Sequence, residues 1–108
     1  MSRELGAYYE ERAANYLIAN RYTIVEQNFT TKMGEIDIIA TRDNVYHFVE
    51  VKGGIGFEPV YNITPAKLRK LIKTVYAYLK LHRLDVAFVI DAIIIQDNAL
   101  EFIENITL

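Results

Sequence analysis

The chain contains no cysteine, which excludes disulfide bonds and thiolate zinc sites. No stretch approaches the roughly 18 uncharged residues of a membrane span, and the start, Met1 to Leu5, lacks the apolar core of a signal peptide. We therefore expect a cytoplasmic protein without a membrane segment. With 108 residues, of which 52% are hydrophobic and 24% charged, the sequence predicts one folded domain over residues 1–108.

Charge of one sign is missing from each of two neighbouring segments. Between Thr64 and Arg83 there is no acidic residue, whereas six Lys or Arg residues lie there. From Leu84 onward the chain has five acidic residues and no Lys or Arg. The net charge of −2 gives no overall attraction to nucleic acid, but the first of these segments predicts a local basic face.

Hydrophobic periodicity predicts two helices and five strands. The first helix covers about residues 2–20, with Ser2 as its N-cap; the second begins at Thr64-Pro65 and runs to about His82. The strand candidates are Tyr22 to Phe29, Gly34 to Thr41, Val45 to Lys52, Asp85 to Ile95 and Ala99 to Asn105. One irregular stretch is predicted from Gly53 to Ile63. Because a helix between strands permits a parallel crossover, we expect an α/β fold of order α-β-β-β-α-β-β with a mixed sheet flanked by helices.

Asp37 lies on one predicted strand, and Glu50 and Lys52 lie on the next. If the intervening turn is centred on Asp43 and Asn44, Asp37 lies directly opposite Glu50, where like charges destabilise the strand pair. A hard divalent cation such as Mg²⁺ would compensate, because it prefers oxygen ligands. An ordinary half-exposed strand, with Lys52 as a salt-bridge partner, would give the same pattern. The spacing alone leaves both interpretations open.

These residues belong to a longer pattern. Its members are Gly6 and Glu10 followed by Ala13, Tyr16 and Leu17; Asn28; Gly34-Glu35-Ile36-Asp37; Phe48-Val49-Glu50-Val51-Lys52; Lys67; and Arg83, Asp85 and Val86. The pattern covers most of the chain and resembles the YraN-like family of small uncharacterised proteins. That family looks like a branch of the restriction-endonuclease-like PD-(D/E)XK superfamily and is similar to archaeal Holliday-junction resolvases, so the resemblance implies a restriction-endonuclease-like core.

The resemblance also implies metal-dependent phosphodiester hydrolysis, with Mg²⁺ or Mn²⁺ as the cofactor. Asp37 and Glu50 would be metal ligands, and Lys52 would lie beside the attacking water. Glu10 would supply a further ligand or position a metal-bound water from the first helix. Carboxylates that hold a cation and an adjacent ammonium group suit this chemistry, since both stabilise charge that develops on the phosphate.

Two positions depart from the family pattern. Gly53-Gly54 follows Lys52 where the family usually has Thr-Arg, and Tyr9 stands where the family usually has glycine. Neither change removes a proposed ligand, but an expected basic group near the phosphate is missing. The alternatives that remain open are a nuclease acting on DNA, branched DNA included, a non-catalytic nucleic-acid-binding accessory module of the same fold, and a protein-interaction domain that uses the apolar C-terminal strands.

Nucleic acid, DNA in the first place, is the expected partner. The candidate contacts to its backbone are Lys67, Arg69, Lys70 and Lys73 on the basic helix, although a solvated helix face would look the same. A homodimer is also compatible with the sequence, because related resolvases are dimeric and residues 84–108 are unusually apolar for a small domain.

Strand alternation gives two more predictions. Glu35 lies opposite Lys52 in the predicted register and is a candidate partner for its ammonium group. His47 shares its strand face with Val49, so it is predicted to point away from Glu50 and to have a structural role.

Overall fold

The computed structural model describes residues 3–54 and 63–107. Its elements are α1 (Arg3–Ala19), β1 (Thr23–Thr31), β2 (Gly34–Arg42), β3 (Val45–Gly54), α2 (Pro65–Leu81), β4 (Ala87–Gln96) and β5 (Ala99–Ile103). The predicted α/β class and element order are confirmed. The proposed N-cap Ser2 and most of the predicted irregular stretch, residues 55–62, lie outside the described residues.

The five strands form one sheet in the order β1-β2-β3-β4-β5. β3 and β4 are parallel, with α2 in the connection between them, and the other neighbouring strands are antiparallel. The predicted mixed sheet is therefore confirmed. Neither described helix is long and apolar enough to cross a membrane.

A tight turn fixes the register between β2 and β3. Asp43 and Asn44 have φ values of 53° and 65°, the left-handed conformation that both central residues of a type I′ hairpin turn require. Asp and Asn tolerate this conformation better than most residues. The turn gives the predicted register, from Arg42 opposite Val45 to Ile38 opposite Val49.

Several strand ends differ from the sequence prediction. β1 continues to Thr31, and β4 begins at Ala87 rather than Asp85. β3 continues through Gly53 and Gly54, which were assigned to the irregular stretch; they extend it because β4 runs alongside and pairs with both residues. β5 stops at Ile103, before Asn105, whose φ of 53° is not a strand conformation.

The two helices cover opposite faces of the sheet. On one face, Ala13 and Leu17 of α1 pack in a buried cluster that includes Val49. On the other face, Val75 of α2 packs in a cluster that includes Phe48. Because consecutive residues of β3 point to opposite faces, this strand contributes to both cores. The molecule thus has three layers, helix, sheet and helix.

The start of α2 is set by its cap. The Thr64 hydroxyl accepts a hydrogen bond from the Lys67 backbone N–H at 3.2 Å, and Pro65 occupies the first turn, where no N–H is needed. The predicted helix start is therefore confirmed. Capping at Thr64 decides which residues form the first two turns of α2, and two of them, Lys67 and Lys70, line the pocket described next.

Candidate active site

Asp37 and Glu50 meet where β2 and β3 stop pairing. The last backbone pair recorded between the two strands is Ile38 with Val49. Beyond this pair, the Val51 N–H donates to Asp37 Oδ2 at 2.8 Å, so a carboxylate accepts the hydrogen bond in place of a backbone carbonyl. The Glu50 side chain lies close enough to Asp37 to raise the pKa of that carboxyl group. The expected neighbouring carboxylates are therefore present in the structure.

The environment of Asp37 raises its pKa from 3.8 to about 8. Burial of the carboxylate is the largest cause, followed by the charge of Glu50, while Glu35 contributes a smaller effect of the same sign. The Val51 N–H stabilises the ionised form and acts in the opposite direction. Without a compensating cation, Asp37 therefore holds its proton near neutral pH.

Lys52 pairs with Glu50 on its own strand, with 3.5 Å between Nζ and Oε1. The suggested partnership of Lys52 with Glu35 is not what the structure shows, because the Glu35 carboxylate contacts Asn28. An ammonium group beside one of two adjacent carboxylates offsets part of their mutual repulsion. The triad of Asp37, Glu50 and Lys52 therefore combines two acidic groups with one base.

This triad lines a pocket of about 330 Å³ between the sheet and the first turns of α2. Its lining residues are Met33, Gly34, Glu35, Asp37, Glu50, Lys52, Ile63, Lys67, Leu68, Lys70 and Leu71. Of the four predicted backbone contacts, Lys67 and Lys70 thus lie at the pocket, whereas Arg69 and Lys73 are exposed on α2 and are not among its lining residues.

Glu10 lies on α1, in the other layer, and is not among the residues that line this pocket. It is half-buried, and its pKa is raised, first by burial and then by the negative charges of Asp37 and Glu35. The Asn28 amide lies between two carboxylates, with its nitrogen 2.7 Å from Glu10 Oε1 and 3.0 Å from Glu35 Oε1. This end of the amide is the nitrogen, because only a donor can face two carboxylate oxygens. The four carboxylates thus form two pairs, Asp37 with Glu50 and Glu10 with Glu35, and the Asn28 amide joins the second pair.

A local change in β1 and β2 brings the layers together here. Asn28 has a φ of 58°, and the recorded pairing passes from Gln27–Ile38 to Phe29–Ile36 without a pair between Asn28 and Asp37. Regular alternation would place Ile36 and Ile38 on one face. Instead, Ile38 belongs to the α1 cluster and Ile36 to the α2 cluster. Asp37 therefore lies where the strand exchanges its faces.

The donor set suits a hard cation. Asp37 and Glu50 offer carboxylate oxygens, and one or two carboxylates completed by water and phosphate are a common Mg²⁺ environment. Across the described residues, no group of three or more His, Asp or Glu side chains is close enough to hold a metal by itself. Glu10 is within electrostatic reach of Asp37 and is not part of such a group. The residues fit an ion held mainly by Asp37 and Glu50.

Tyr9 and Gly53, the two departures from the family pattern, touch each other. A Cβ atom added at Gly53 would overlap the Tyr9 ring, which is buried against this glycine. A side chain at position 53 and a ring at position 9 therefore compete for the same space. Positions 9 and 53 are therefore in contact next to Glu10 and Lys52, which their sequence separation did not reveal.

His47 points away from the pocket, as predicted. Its Nδ1 lies 2.6 Å from Asp91 Oδ2, and the other oxygen of Asp91 accepts from the Asn105 N–H at 2.8 Å. Asp91 is fully buried on β4, where the strand pattern predicted no functional residue. A charged residue within an otherwise apolar strand was the available signal, since buried charges require partners. The pair links β3, β4 and the C-terminal segment.

Comparison with known proteins places this chain within a family. The model of the uncharacterised protein family UPF0102 matches residues 9–104. The chain is 51% identical to the UPF0102 protein of Wolinella succinogenes over 108 residues, which covers both chains fully. It is 50% identical to the UPF0102 protein of Helicobacter hepaticus over 107 residues, 99% of this chain and 97% of the relative. The chain therefore belongs to the UPF0102 family, as its YraN-like motifs predicted.

Proposed function

We propose that this chain is a Mg²⁺-dependent nuclease-like protein that binds nucleic acid, DNA in the first place, and hydrolyses its phosphodiester bonds. One observation carries the proposal: a half-buried carboxylate pair, Asp37 and Glu50, lies beside Lys52 in a pocket whose other wall carries Lys67 and Lys70. The resemblance of the motifs to the PD-(D/E)XK superfamily supports the same chemistry.

Each residue has a role that fits its surroundings. Asp37 and Glu50 would hold the ion, and their crowding explains why a cation is needed there. Bound Mg²⁺ would lower the pKa of a water molecule and neutralise charge on the phosphate. Lys52, held at Glu50, would orient the attacking water or stabilise the same developing charge.

The first turns of α2 would bind the phosphate backbone. Lys67 and Lys70 are exposed side chains on the pocket wall, and no acidic residue lies between Thr64 and Arg83 to oppose them. Contacts of this kind supply affinity without sequence information and weaken as salt rises. Arg69 and Lys73 would extend the contact along the helix.

A cleavage and metal-binding experiment tests the enzymatic proposal. The purified chain is incubated with branched, nicked, single-stranded and duplex DNA and with RNA, each with Mg²⁺ or Mn²⁺, and Mn²⁺ binding is measured by calorimetry. Asp37→Ala, Glu50→Ala and Lys52→Ala should each lower cleavage by at least about 100-fold, because several kcal/mol of charge stabilisation are lost. Asp85→Asn, at an exposed position before β4, is the matched control. A folded chain that binds neither metal and cuts none of these substrates refutes the proposal.

A salt titration separates cleavage from binding. Replacing both Lys67 and Lys70 by Glu should reduce the salt dependence of DNA binding by about one phosphate contact for each lysine. Lys80→Glu, at the far end of α2, is the control. Metal-independent, salt-sensitive binding that Asp37→Ala leaves unchanged would instead support the non-catalytic accessory module. Sedimentation of the same preparation tests whether the chain forms a homodimer.

A further inference from the structure

We infer that Asn28 is a positioning residue for the proposed active site, because its side-chain amide holds Glu10 of α1 beside Glu35, on the strand that also carries Asp37. The inference rests on the proposed function only for what Glu10 does there. The bridge itself follows from two contacts, 2.7 Å to Glu10 Oε1 and 3.0 Å to Glu35 Oε1.

The chemistry of the amide suits this position. A primary amide nitrogen carries two hydrogens, and here two carboxylate oxygens face the same nitrogen. Without a donor between them, Glu10 and Glu35 would repel each other, and both also repel Asp37. A longer cationic side chain would neutralise Glu10. The neutral amide orients Glu10 and leaves its charge available to the site.

The backbone of Asn28 makes the bridge possible. Its φ of 58° interrupts the regular pairing of β1 with β2, next to the point where Ile36 and Ile38 face different helices. Asn and Gly adopt this conformation more readily than other residues, but only Asn adds a donor. The same residue thus interrupts the pairing of β1 with β2 and connects the sheet to α1.

The bridge is tested directly by NMR of the Asn28 side-chain amide in the metal-free chain. Glu10→Gln and Glu35→Gln should each shift this resonance, because each removes a charged acceptor. Glu11→Gln is the matched control, since Glu11 neighbours Glu10 on α1 and is exposed. A resonance that responds to none of the three substitutions, or equally to all of them, overturns the bridge.

Three variants separate the side chain from the backbone. Asn28→Gly keeps the left-handed conformation and removes the donor, and Asn28→Asp keeps the shape and replaces the donor by a third carboxylate. Both should weaken Mn²⁺ binding by about 10-fold, the lower end of the effect of losing an outer-shell partner, because Glu10 would act on the ion from beyond its direct ligands. Adding Glu35→Gln to Asn28→Asp should recover part of that loss, because the new amide can donate to Asp at position 28.

The outcomes distinguish this inference from the proposed function. If Asn28 has only a structural role, Asn28→Gly and Asn28→Asp lower the melting temperature and leave the Mn²⁺ dissociation constant unchanged, and Glu35→Gln gives no rescue. That result refutes the positioning role. If the wild-type chain binds no Mn²⁺, the proposed function fails, whereas the amide resonance still decides whether Asn28 joins Glu10 to Glu35.

Discussion

Replacing Asp37 by Asn should make the protein more stable at neutral and alkaline pH and should abolish metal binding. The Asn oxygen can still accept the hydrogen bond from the Val51 N–H, and the amide can donate to Glu50 in place of the carboxylic acid proton. The two side chains have nearly the same shape. The substitution therefore removes mainly the ability to ionise.

The expected size follows from the pKa of Asp37, which rises from 3.8 to about 8 on folding. The folded state holds this proton more tightly than the unfolded state, so the contribution of Asp37 is most favourable below about pH 4. It is lost progressively as the pH rises, until the folded group ionises near pH 8. At about 1.36 kcal/mol for each pKa unit, the loss amounts to about 5–6 kcal/mol. A small domain has only about 5–15 kcal/mol in total.

Urea unfolding between pH 4 and pH 9, without divalent cations, measures the effect. Asp37→Asn should match the wild type within about 1 kcal/mol at pH 4, where both side chains are neutral. The variant should be more stable by up to about 5 kcal/mol at pH 8.5. Asp85→Asn should show no such dependence, because this aspartate is exposed. Subtracting the wild-type free energy of unfolding from that of each variant cancels the contributions of all other titrating groups.

Glu50→Gln distinguishes the two main causes of the raised pKa. Burial is the larger cause and the charge of Glu50 the second, so removing that charge should lower the Asp37 pKa without restoring its ordinary value. The loss of stability that Asp37 causes should then occur over a narrower pH range, which ends below pH 8. An Asp37→Asn variant whose stability relative to the wild type is the same at pH 4 and pH 8.5 would refute the reasoning.

Two further predictions concern packing outside the carboxylate pair. Gly53→Thr should lower the free energy of unfolding by about 1–3 kcal/mol, because the new side chain overlaps the Tyr9 ring. Adding Tyr9→Gly should relieve that overlap, so a double-mutant cycle in urea unfolding should give a favourable coupling energy. Strictly additive effects would contradict this contact between positions 9 and 53. His47→Ala should lower the free energy of unfolding by about 3–5 kcal/mol, since the buried Asp91 carboxylate loses its side-chain partner. Combining it with Asp91→Asn should recover part of that loss in the same measurement. Equal stability of the single and double variants would contradict this prediction.

Local rules were sufficient to place the carboxylate pair. The Asp43–Asn44 turn is a strong hairpin signal, and it fixes the register whose last recorded pair, Ile38 with Val49, adjoins Asp37 and Glu50. The cap at Thr64 likewise determined the start of α2 and, with it, the positions of Lys67 and Lys70. Each of these inferences depends on residues that are close in sequence.

Features that depend on contact between layers were not predictable in this way. Asn28 lies within a run of strand-forming residues, and its left-handed conformation accompanies the packing of Ile36 and Ile38 against different helices. The overlap between Tyr9 and Gly53 requires knowing how α1 lies on β3. Strict strand alternation also led to the wrong partner for Glu35, because alternation fails where the strand exchanges its faces.

The exchange of faces explains how one small sheet can collect carboxylates from both layers. In a regular strand, Glu35 and Asp37 would point to the same face of the sheet. If that were the α2 face, the sheet would separate both of them from Glu10 on α1. Because the pairing of β1 with β2 is interrupted at Asn28 and Asp37, Glu35 contacts the Asn28 amide, while Asp37 lies beside Glu50. The hydrogen bonds from Asn28 and Val51 and the ion pair of Lys52 offset only part of the repulsion, since the pKa values of Asp37 and Glu10 remain raised. A bound divalent cation would remove most of what is left, so the same charges that weaken the metal-free fold would favour metal binding.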